Sequence, residues 1–568
     1  MAEACDIARP QMSYYYCNQV EPCAPGDLDK RGKSVPVYVL EDTQQLDRFL
    51  VIGTEGGTYY ASEGRLNQEN ANCITRLIES GQGELVVQRI VDICKKGRTA
   101  KQNCALFSLA LCCRSKDKKT KVAAYKAVCD VCSIPTTLFQ FIQYMENLGK
   151  SKDKDSKSTG WGRGLRKAVS VWYNQFVSNP HRLAMLITKY RQRVGWTHRD
   201  LLRLSHAKPE DDTIGFILRY AVKGLEEAEK YYMEDTIADA DPKMLEIKAY
   251  LAACDAVKEL KHPDNLEDVR RVVSMIEQHD LVREHVAPEM LNSAQVWVSL
   301  LDKMPMKALI RNLNKMTVVG VLDNGENVNK VVQKLGNRDA LRKSRVHPYS
   351  ILVAWMTYRS GTGHKGNLKW NAVPEVLAAL EKAFYAAFDN VTPTNKRILI
   401  AVDVSASMTW MSPKAVISPR VSSAAMMMIT LRTETNCDVV GFSSSLMPLD
   451  IKKEWTLDQV ISYIETIPMG GTDCSLPMVW AQEEKKKYDA FIIYTDSETW
   501  FSRDTPANAL RHYRDASGIQ NARLATVAMT SGGFTLADPA DLNMLDMVGF
   551  DTEAPTVLQD FIGGNLYE

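Results

Sequence analysis

Apolar residues recur at helical spacing through the first two thirds of the chain. Between residues 46 and 388 they fall repeatedly at positions i, i+3, i+4 and i+7, as in Leu165, Ala168, Val169 and Trp172. This spacing lines one face of an α-helix and leaves the opposite face polar. Successive helices begin about 17–20 residues apart, so helix pairs recur at roughly the period of HEAT-type repeats, which stack into a solenoid. The pattern predicts a HEAT-like array of helical pairs.

After Pro393 the pattern changes to short, β-branched apolar runs that indicate buried strands. The runs are RILIAVDVS, CDVVGFS, DAFIIYTDSE and RLATVAM, with helical segments between them. Strands that alternate with helices predict a parallel, doubly wound sheet. The fold class is therefore α + α/β. It comprises a proline-containing, flexible arm at 1–40, a helical-repeat domain at 41–392 and an α/β domain at 393–568.

Charge is unevenly distributed along a chain that is almost neutral. The net charge is +1 in 568 residues, but residues 95–210 contain 24 Lys and Arg against 7 Asp and Glu. The remainder carries 46 basic and 62 acidic residues. A concentrated basic block in a neutral chain predicts a polyanionic partner, with a merely solvated lysine-rich surface as the alternative.

Cysteine usage and hydropathy favour the cytoplasm or the nucleus. The 13 cysteines are an odd number without a disulfide-like framework, which favours reduced thiols. Cys129 and Cys132 form a CxxC pair, but they lie on an apolar helical stripe and no second pair completes a zinc site. We recognise no signal segment and no run near the roughly 20 apolar residues that span a bilayer. We expect a monomer that does not contact membranes.

Basic side chains fall on the exposed faces of consecutive predicted helices. Arg163, Arg166 and Lys167 lie opposite the apolar stripe of one helix, and Lys189 and Arg193 flank the stripe of the next. Rows of cations on stacked helices suit a phosphodiester backbone, because each neutralised phosphate releases counterions. The candidate RNA-binding residues are Arg98, Lys101, Arg163, Arg166, Lys167, Lys189, Arg193, His198, Arg199, Arg203 and His206.

Histidines and aromatic residues accompany these cations. His198 and His206 either contact RNA or form hydrogen bonds within the fold, and the sequence leaves both readings open. Rings on which bases could stack interleave with the cations, namely Trp161, Trp172 (which also fits the core), Tyr173 and Trp196. We find no helix-turn-helix or finger motif, so single-stranded RNA is favoured over duplex DNA.

Hard oxygen donors follow the predicted strands of the α/β region. Asp403, Ser405 and Ser407 stand in DVSAS, Thr472 in GGTD and Asp496 in YTDSE. Loops at the carboxyl ends of parallel strands line one crevice, and two carboxylates with three hydroxyls suit Mg²⁺. The five positions resemble the metal-ion-dependent adhesion site of von Willebrand factor A domains, DxSxS…T…D. The resemblance implies that both serines contact the metal, that the other three do so directly or through water, and that an acidic group of a partner completes the shell.

Seven segments of the chain together carry a second resemblance. They are EGGTYY (55–60), GRTAKQ (97–102), WGRGLRKA (161–168), GWTHRDLLRLSH (195–206), LVREH (281–285), RNLNKMT (311–317) and GGTDCSLPM (470–478). These segments resemble the Ro autoantigen family, the protein component of Ro ribonucleoproteins. The resemblance runs from about residue 40 to 568. It implies a ring of helical repeats, the TROVE module, closed by the A domain. It also implies binding of small non-coding Y RNAs outside the ring, capture of single-stranded 3′ ends of misfolded non-coding RNAs in the central hole, and RNA contacts at Lys189, Arg193 and His206.

Three functions follow from these features. The leading hypothesis is a non-enzymatic RNA-binding protein of a cytoplasmic ribonucleoprotein, acting in the quality control and stability of non-coding RNA. The second is a protein-binding adaptor that recruits acidic partners through the metal site. The third is a phosphohydrolase with Asp403 as nucleophile. It is disfavoured because that chemistry normally uses a second carboxylate two residues on, and position 405 is serine.

Overall fold

The computed structural model divides the chain into two compact units. It describes residues 42–43, 46, 49–50, 72–96, 102–150, 161–233, 241–363, 367–409, 417–468, 470–495, 504–528, 536–538, 541–548 and 554–565. The helical unit consists of Ile74–Ser344 and Thr357–Ala383, and the α/β unit of Met1–Cys73, Arg345–Met356 and Phe384–Glu568. The predicted flexible arm at 1–40 lies outside the described residues.

Helices dominate the first part of the chain, as predicted. They are α1 (Asn72–Glu79), α2 (Gly83–Lys96), α3 (Gln102–Cys113), α4 (Lys118–Val131), α5 (Pro135–Lys150), α6 (Arg163–Asn174), α7 (Pro180–Lys189), α8 (His198–Ser205), α9 (Asp212–Lys223), α10 (Leu225–Met233), α11 (Pro242–Glu259), α12 (Leu266–His279), α13 (Ala294–Leu301), α14 (Met306–Val318), α15 (Gly325–Gly336), α16 (Arg338–Ser344), α17 (Pro348–Ser360) and α18 (Pro374–Ala386). In the described part of the chain, no helix combines the length and apolar character needed to cross a membrane.

Helices near the basic stretch pack against the second helix further along the chain, and some also pack against the next one. α2 contacts α4, α3 contacts α5, α4 contacts α6, and α6 contacts α8. Stacked helical pairs produce this arrangement, because each pair buries its apolar face against the next. The stripe of α6 is accordingly buried, with Trp172 and Val169 fully inaccessible.

The chain reverses sharply between α7 and α8. α7 ends at Lys189, and β1 (Gln192–Arg193) pairs antiparallel with β2 (Trp196–Thr197) in a short hairpin. Gly195 in its turn has a φ of +83°, which no right-handed helix accommodates. Arg193, which we predicted along the flank of the α7 helix, therefore lies in a strand beyond the helix end.

The α/β unit contains a sheet whose described strands follow the order β5-β4-β3-β6-β7-β8. The strands are β3 (Arg397–Asp403), β4 (Asn436–Phe442), β5 (Leu446–Pro448), β6 (Ala490–Thr495), β7 (Arg523–Ala528) and β8 (Met544–Val548). The helices that alternate with them are α19 (Pro419–Thr433), α20 (Leu457–Glu465), α21 (Leu476–Glu483), α22 (Pro506–Ser517) and α23 (Ala554–Gly563). Every described pairing in this sheet is parallel except that of β4 with β5.

The parallel α/β architecture is confirmed, with two strands that the sequence did not reveal. β5 has only three residues, too few for a periodic signal, and returns antiparallel from β4. β8 contains Asp546, a charged residue that interrupts its apolar run. The Asp546 side chain is nevertheless buried, because its carboxylate accepts hydrogen bonds from the backbone N–H groups of Leu536 and Ala537.

Residues before β3 contribute to the α/β unit. The Tyr349 hydroxyl donates to Ser422 Oγ at 3.3 Å, and Asn390 Nδ2 donates to the Val346 carbonyl at 2.9 Å. The predicted boundary between residues 392 and 393 therefore falls inside this unit, which also includes Arg345–Met356 and the chain from Phe384 onward.

Candidate RNA-binding surface and candidate metal loop

Positively charged side chains are exposed on α6, on β1 and on α8. They are Arg163, Arg166, Lys167, Arg193, Arg199 and Arg203. α6 and α8 pack directly on each other, so their cations belong to adjacent helices. Among the described residues, none of these six side chains has a carboxylate oxygen within 4.0 Å of its nitrogens. Their charge is therefore available to an anionic partner.

Lys189 and His206 lie at the ends of α7 and α8. The Lys189 side chain is about one quarter exposed, and its Nζ lies 3.9 Å from Glu284 Oε2, a distance at the limit of an ion pair. His206 is exposed and ends α8 in the left-handed conformation, with a φ of 51°. Both side chains thus border the surface formed by the six exposed cations.

His198 is buried, which corrects its prediction as an RNA contact. Its Nε2 lies 3.2 Å from the Tyr190 carbonyl, which can only accept, so this nitrogen carries the proton. Its Nδ1 then accepts from the Tyr173 hydroxyl at 2.8 Å. Desolvation lowers the pKa of His198 to about 3, so the ring is neutral. The alternative reading, a hydrogen bond within the fold, is the one the structure supports.

Most of the aromatic rings predicted as stacking platforms are interior residues. Trp161, Trp172 and Tyr173 are buried, and the Trp172 Nε1 donates to the Cys132 carbonyl. Trp196 is half-buried, with its ring centroid 6.0 Å from that of Trp161. Of the four predicted rings, Trp196 alone retains substantial access to solvent.

Three predicted site residues lie outside the described residues. They are Arg98 and Lys101 of the basic set and Asp496 of the metal set. Their roles stay predictions.

A cleft that the sequence did not reveal opens beside the exposed cations. It has a volume of about 240 Å³ and is lined by Ile187, Arg191, Thr197, His198, Arg199, Tyr220, Ala221, Gly224 and Asp255. Arg191 pairs with Asp255 across 64 positions of sequence. Reasoning about the face of a single helix cannot find a pair of this kind, because its members belong to segments that only the fold brings together.

The candidate metal loop begins where β3 ends. Asp403 is buried; its Oδ1 accepts from the Ser405 backbone N–H at 2.8 Å and its Oδ2 from the Thr495 hydroxyl at 2.9 Å. The hydroxyls of Ser405 and Ser407 lie 3.0 Å apart. The loop therefore groups one carboxylate with two hydroxyls, as the DxSxS spacing predicts.

Thr472 belongs to a segment that contacts the carboxyl end of β4, the strand beside β3. The next residue, Asp473, donates its backbone N–H to the Ser443 carbonyl at 3.0 Å. Gly470 allows this close approach, since a Cβ there would lie 3.0 Å from Ser443 Oγ. Thr472 is buried. Neighbouring strand ends thus position the described members of the predicted set.

The donor chemistry of this loop fits a hard cation. Its described side chains offer oxygen only, which suits Mg²⁺ rather than a softer metal. Among the described residues, no group of three or more His, Cys, Asp and Glu side chains is placed to hold a metal. The predicted site relies on one described carboxylate and several hydroxyls rather than on such a group, so it stays a prediction.

The helical unit stacks helices with a cationic face, and the α/β unit bears a DxSxS loop. Together these features define a class of protein that joins a TROVE module to a von Willebrand A domain. Family models agree: the TROVE domain matches residues 30–357, and the Ro60 vWA domain matches residues 397–562. The chain belongs to the Ro60 family.

Individual relatives resemble the chain along nearly all of its length. The RNA-binding protein RO60 of Caenorhabditis elegans is 36% identical, covering 96% of this chain and 92% of the relative. The RNA-binding protein RO60 of Deinococcus radiodurans is 32% identical, covering 93% of this chain and 94% of the relative. The crystal structure of the Deinococcus radiodurans RO (RSR) protein superposes with a TM-score of 0.80 at 31% identity, covering 92% of this chain and 100% of that one.

Proposed function

We propose that this chain is a non-enzymatic RNA-binding protein whose helical unit binds the phosphate backbone. The observation that carries the proposal is the set of exposed cations on α6, β1 and α8, which have no carboxylate partner within the described residues. Cations in rows on adjacent helices neutralise successive phosphates. The relatives named RNA-binding protein RO60 support the same function.

The RNA ligands in this proposal are Y RNAs and the single-stranded 3′ ends of misfolded non-coding RNAs, and the role is RNA quality control and stability. Membership of the Ro60 family supports this choice. We also propose a monomer that acts in the cytoplasm or the nucleus. Free thiols such as Cys113 and Cys132 support a reducing compartment.

A filter-binding titration against a structured RNA with a single-stranded tail tests RNA binding. We expect the double variant Lys189→Ala with Arg193→Ala to bind at least tenfold more weakly than the parent chain, because it loses one exposed cation of the surface and one at its border. The matched control removes two exposed arginines of α12, Arg270→Ala with Arg271→Ala, and should bind as the parent does. Equal affinities for all three proteins would contradict the proposal.

The α/β unit is proposed to bind one Mg²⁺ at the loop after β3. Ser405 and Ser407 would hold it, with Asp403, Thr472 and Asp496 acting directly or through water. When bound, the cation would offer an open coordination position to an acidic group of a partner. The oxygen-only donor set of this loop supports the proposal.

Calorimetric titration of the full chain with Mg²⁺ tests the metal site. We expect Asp403→Ala to abolish the binding heat, because it removes the only described carboxylate of the set. Asp458→Asn, which neutralises an exposed carboxylate at the start of α20, should keep it. Unchanged heat in the Asp403 variant would refute the site.

A second candidate function, a protein-binding adaptor, rests on the same loop. An acidic peptide would bind only when the metal is present, because its carboxylate completes the coordination shell. Capture of such a peptide in Mg²⁺, lost on chelation, would favour the adaptor. Loss of the same capture in the Asp403→Ala variant would assign it to this loop.

A further inference from the structure

The lining of the cleft beside the exposed cations carries both signs of charge. Its charged residues include Arg191, Asp255 and Arg199, and Tyr220 and Ile187 contribute ring and aliphatic surface. Arg199 is also one of the six exposed cations. An RNA strand that follows those cations therefore passes the mouth of the cleft.

Asp255 is held in one orientation and keeps an oxygen for a ligand. Its Oδ1 accepts from the Tyr220 hydroxyl at 2.8 Å and from Arg191 Nη2 at 3.1 Å. No described residue donates to its Oδ2 at hydrogen-bonding distance. The Arg191–Asp255 pair thus presents a guanidinium beside a carboxylate acceptor, fixed in place by a buried tyrosine.

Size and polarity together restrict what the cleft can hold. At about 240 Å³ it is smaller than the roughly 300–1,000 Å³ typical of pockets for drug-sized ligands, so it suits a single ring system. Guanine has an N–H and an amino group on one edge, which a carboxylate accepts, and O6 and N7 on another, which a guanidinium reads. Adenine and cytosine offer a carboxylate only an amino group, and uracil only one N–H.

We propose that this cleft binds one unpaired guanine of the RNA, with Oδ2 of Asp255 accepting from both its N1–H and its amino group and Arg191 or Arg199 donating to its acceptor edge. Tyr220 acts as a positioning residue, through its hydrogen bond to the Asp255 carboxylate. The inference rests on the proposed RNA binding and adds base selectivity to it. Phosphate contacts attract any strand, whereas this cleft selects among bases.

The test measures binding of the full chain to short single-stranded oligouridines that carry one central guanosine, adenosine or inosine. Fluorescence anisotropy should give about tenfold tighter binding for guanosine than for adenosine, the size typical of one well-formed base contact. Inosine, which lacks the amino group, should lie between them. These comparisons use the unaltered protein, so folding of a variant does not affect them.

Substitution then assigns the selectivity to the carboxylate. Asp255→Asn should abolish the guanosine preference, because an amide presents donors where guanine also has donors. Glu259→Gln removes the same charge one turn along α11, outside the lining of the cleft, and should preserve the preference. Tyr220→Phe should reduce the preference without weakening the binding of plain oligouridine.

The outcomes separate the inference from the proposed function. Tight binding that ignores the central base overturns the guanine cleft and leaves RNA binding intact. Failure of every oligonucleotide to bind overturns both. Binding of guanosine monophosphate alone as tightly as the oligonucleotide would mark a mononucleotide site, and would overturn a cleft that acts on an RNA strand.

Discussion

Two buried histidines of the helical unit are held in defined tautomers by their neighbours. His198 donates through Nε2 and accepts at Nδ1. His285 accepts the Val282 backbone N–H at Nδ1, so its Nε2 donates to Thr188 Oγ1 at 3.1 Å. Burial lowers the pKa of each ring to about 3. Both rings are therefore neutral when the protein is folded and gain protons readily only when it unfolds.

Because the unfolded chain binds these protons more readily than the folded chain, the free energy of unfolding depends on pH. The folded pKa of His198 lies below its unfolded value of about 6.5, so its contribution is full above pH 6.5 and is lost as the pH falls toward 3. Between pH 7 and pH 5 we expect one such histidine to cost about 2 kcal/mol of unfolding free energy. His198→Gln, whose side chain does not titrate, should remove that share of the loss.

Urea unfolding at the two pH values measures the difference. Amide hydrogen exchange in α8 gives a local readout, since a chain of two units need not unfold in one step. The matched control is His206→Gln, an exposed histidine at the end of the same helix, which should keep the pH dependence of the parent. The same dependence in the His198 variant would rule out the linkage.

Helical periodicity correctly predicted whether a side chain is buried or exposed where the face of one helix alone decides its environment. Leu165 and Trp172 are buried and Arg163 and Arg166 are exposed, as the stripe of α6 indicates. The placement of His198 did not follow from the same rule. Its burial depends on a hydroxyl from α6 that satisfies its ring, and such long-range pairing leaves no periodic trace.

At the scale of elements, α8 carries much of the candidate surface and depends on its first turn. Thr197 Oγ1 accepts from the Asp200 backbone N–H at 3.2 Å, and the Asp200 carboxylate accepts from the Thr197 backbone N–H at 3.0 Å. This reciprocal capping box satisfies N–H groups that a helix start would otherwise leave open. It therefore fixes the helix that presents Arg199 and Arg203.

Removal of the cap should loosen α8. Thr197→Ala loses the side-chain acceptor, and we expect a cost of about 1 kcal/mol in unfolding free energy. Faster hydrogen exchange in the first turn of α8 and weaker RNA binding should accompany it. Thr197→Ser retains the hydroxyl and should behave as the parent. Normal exchange in the alanine variant would show that the cap does not hold this helix.

Helices and strands were predictable from the sequence when they are long enough to show a periodic pattern. Four strands of the sheet follow from the sequence, because β-branched apolar runs are local signals. β5 and the hairpin of β1 with β2 were not predictable, since two or three residues carry no period. The grouping of Asp403, Ser405 and Ser407 in one loop follows from their spacing, and the metal itself stays a prediction, whereas the Arg191–Asp255 cleft required the fold.

At the scale of the whole molecule, the near-zero net charge restricts how RNA can be attracted. A chain of net charge +1 offers little overall pull on a polyanion, so attraction must come from the local block of cations. The helical unit carries that block on the side chains of α6, β1 and α8. The salt dependence of RNA binding should therefore reflect the number of these cations that contact phosphates rather than the total charge of the chain.

The slope of log affinity against log salt concentration gives that count. Each phosphate contact to single-stranded RNA contributes about 0.7 to the slope, so Arg163→Ala, Arg166→Ala and Lys167→Ala together should flatten it by about 2. The control removes three other exposed cations of the helical unit, Lys243, Arg270 and Arg271, and should leave the slope unchanged. Filter binding across a salt series measures both. If the two triple variants gave the same slope, the RNA would not follow α6, and the track of cations would have to be confined to the α7–α8 hairpin and α8.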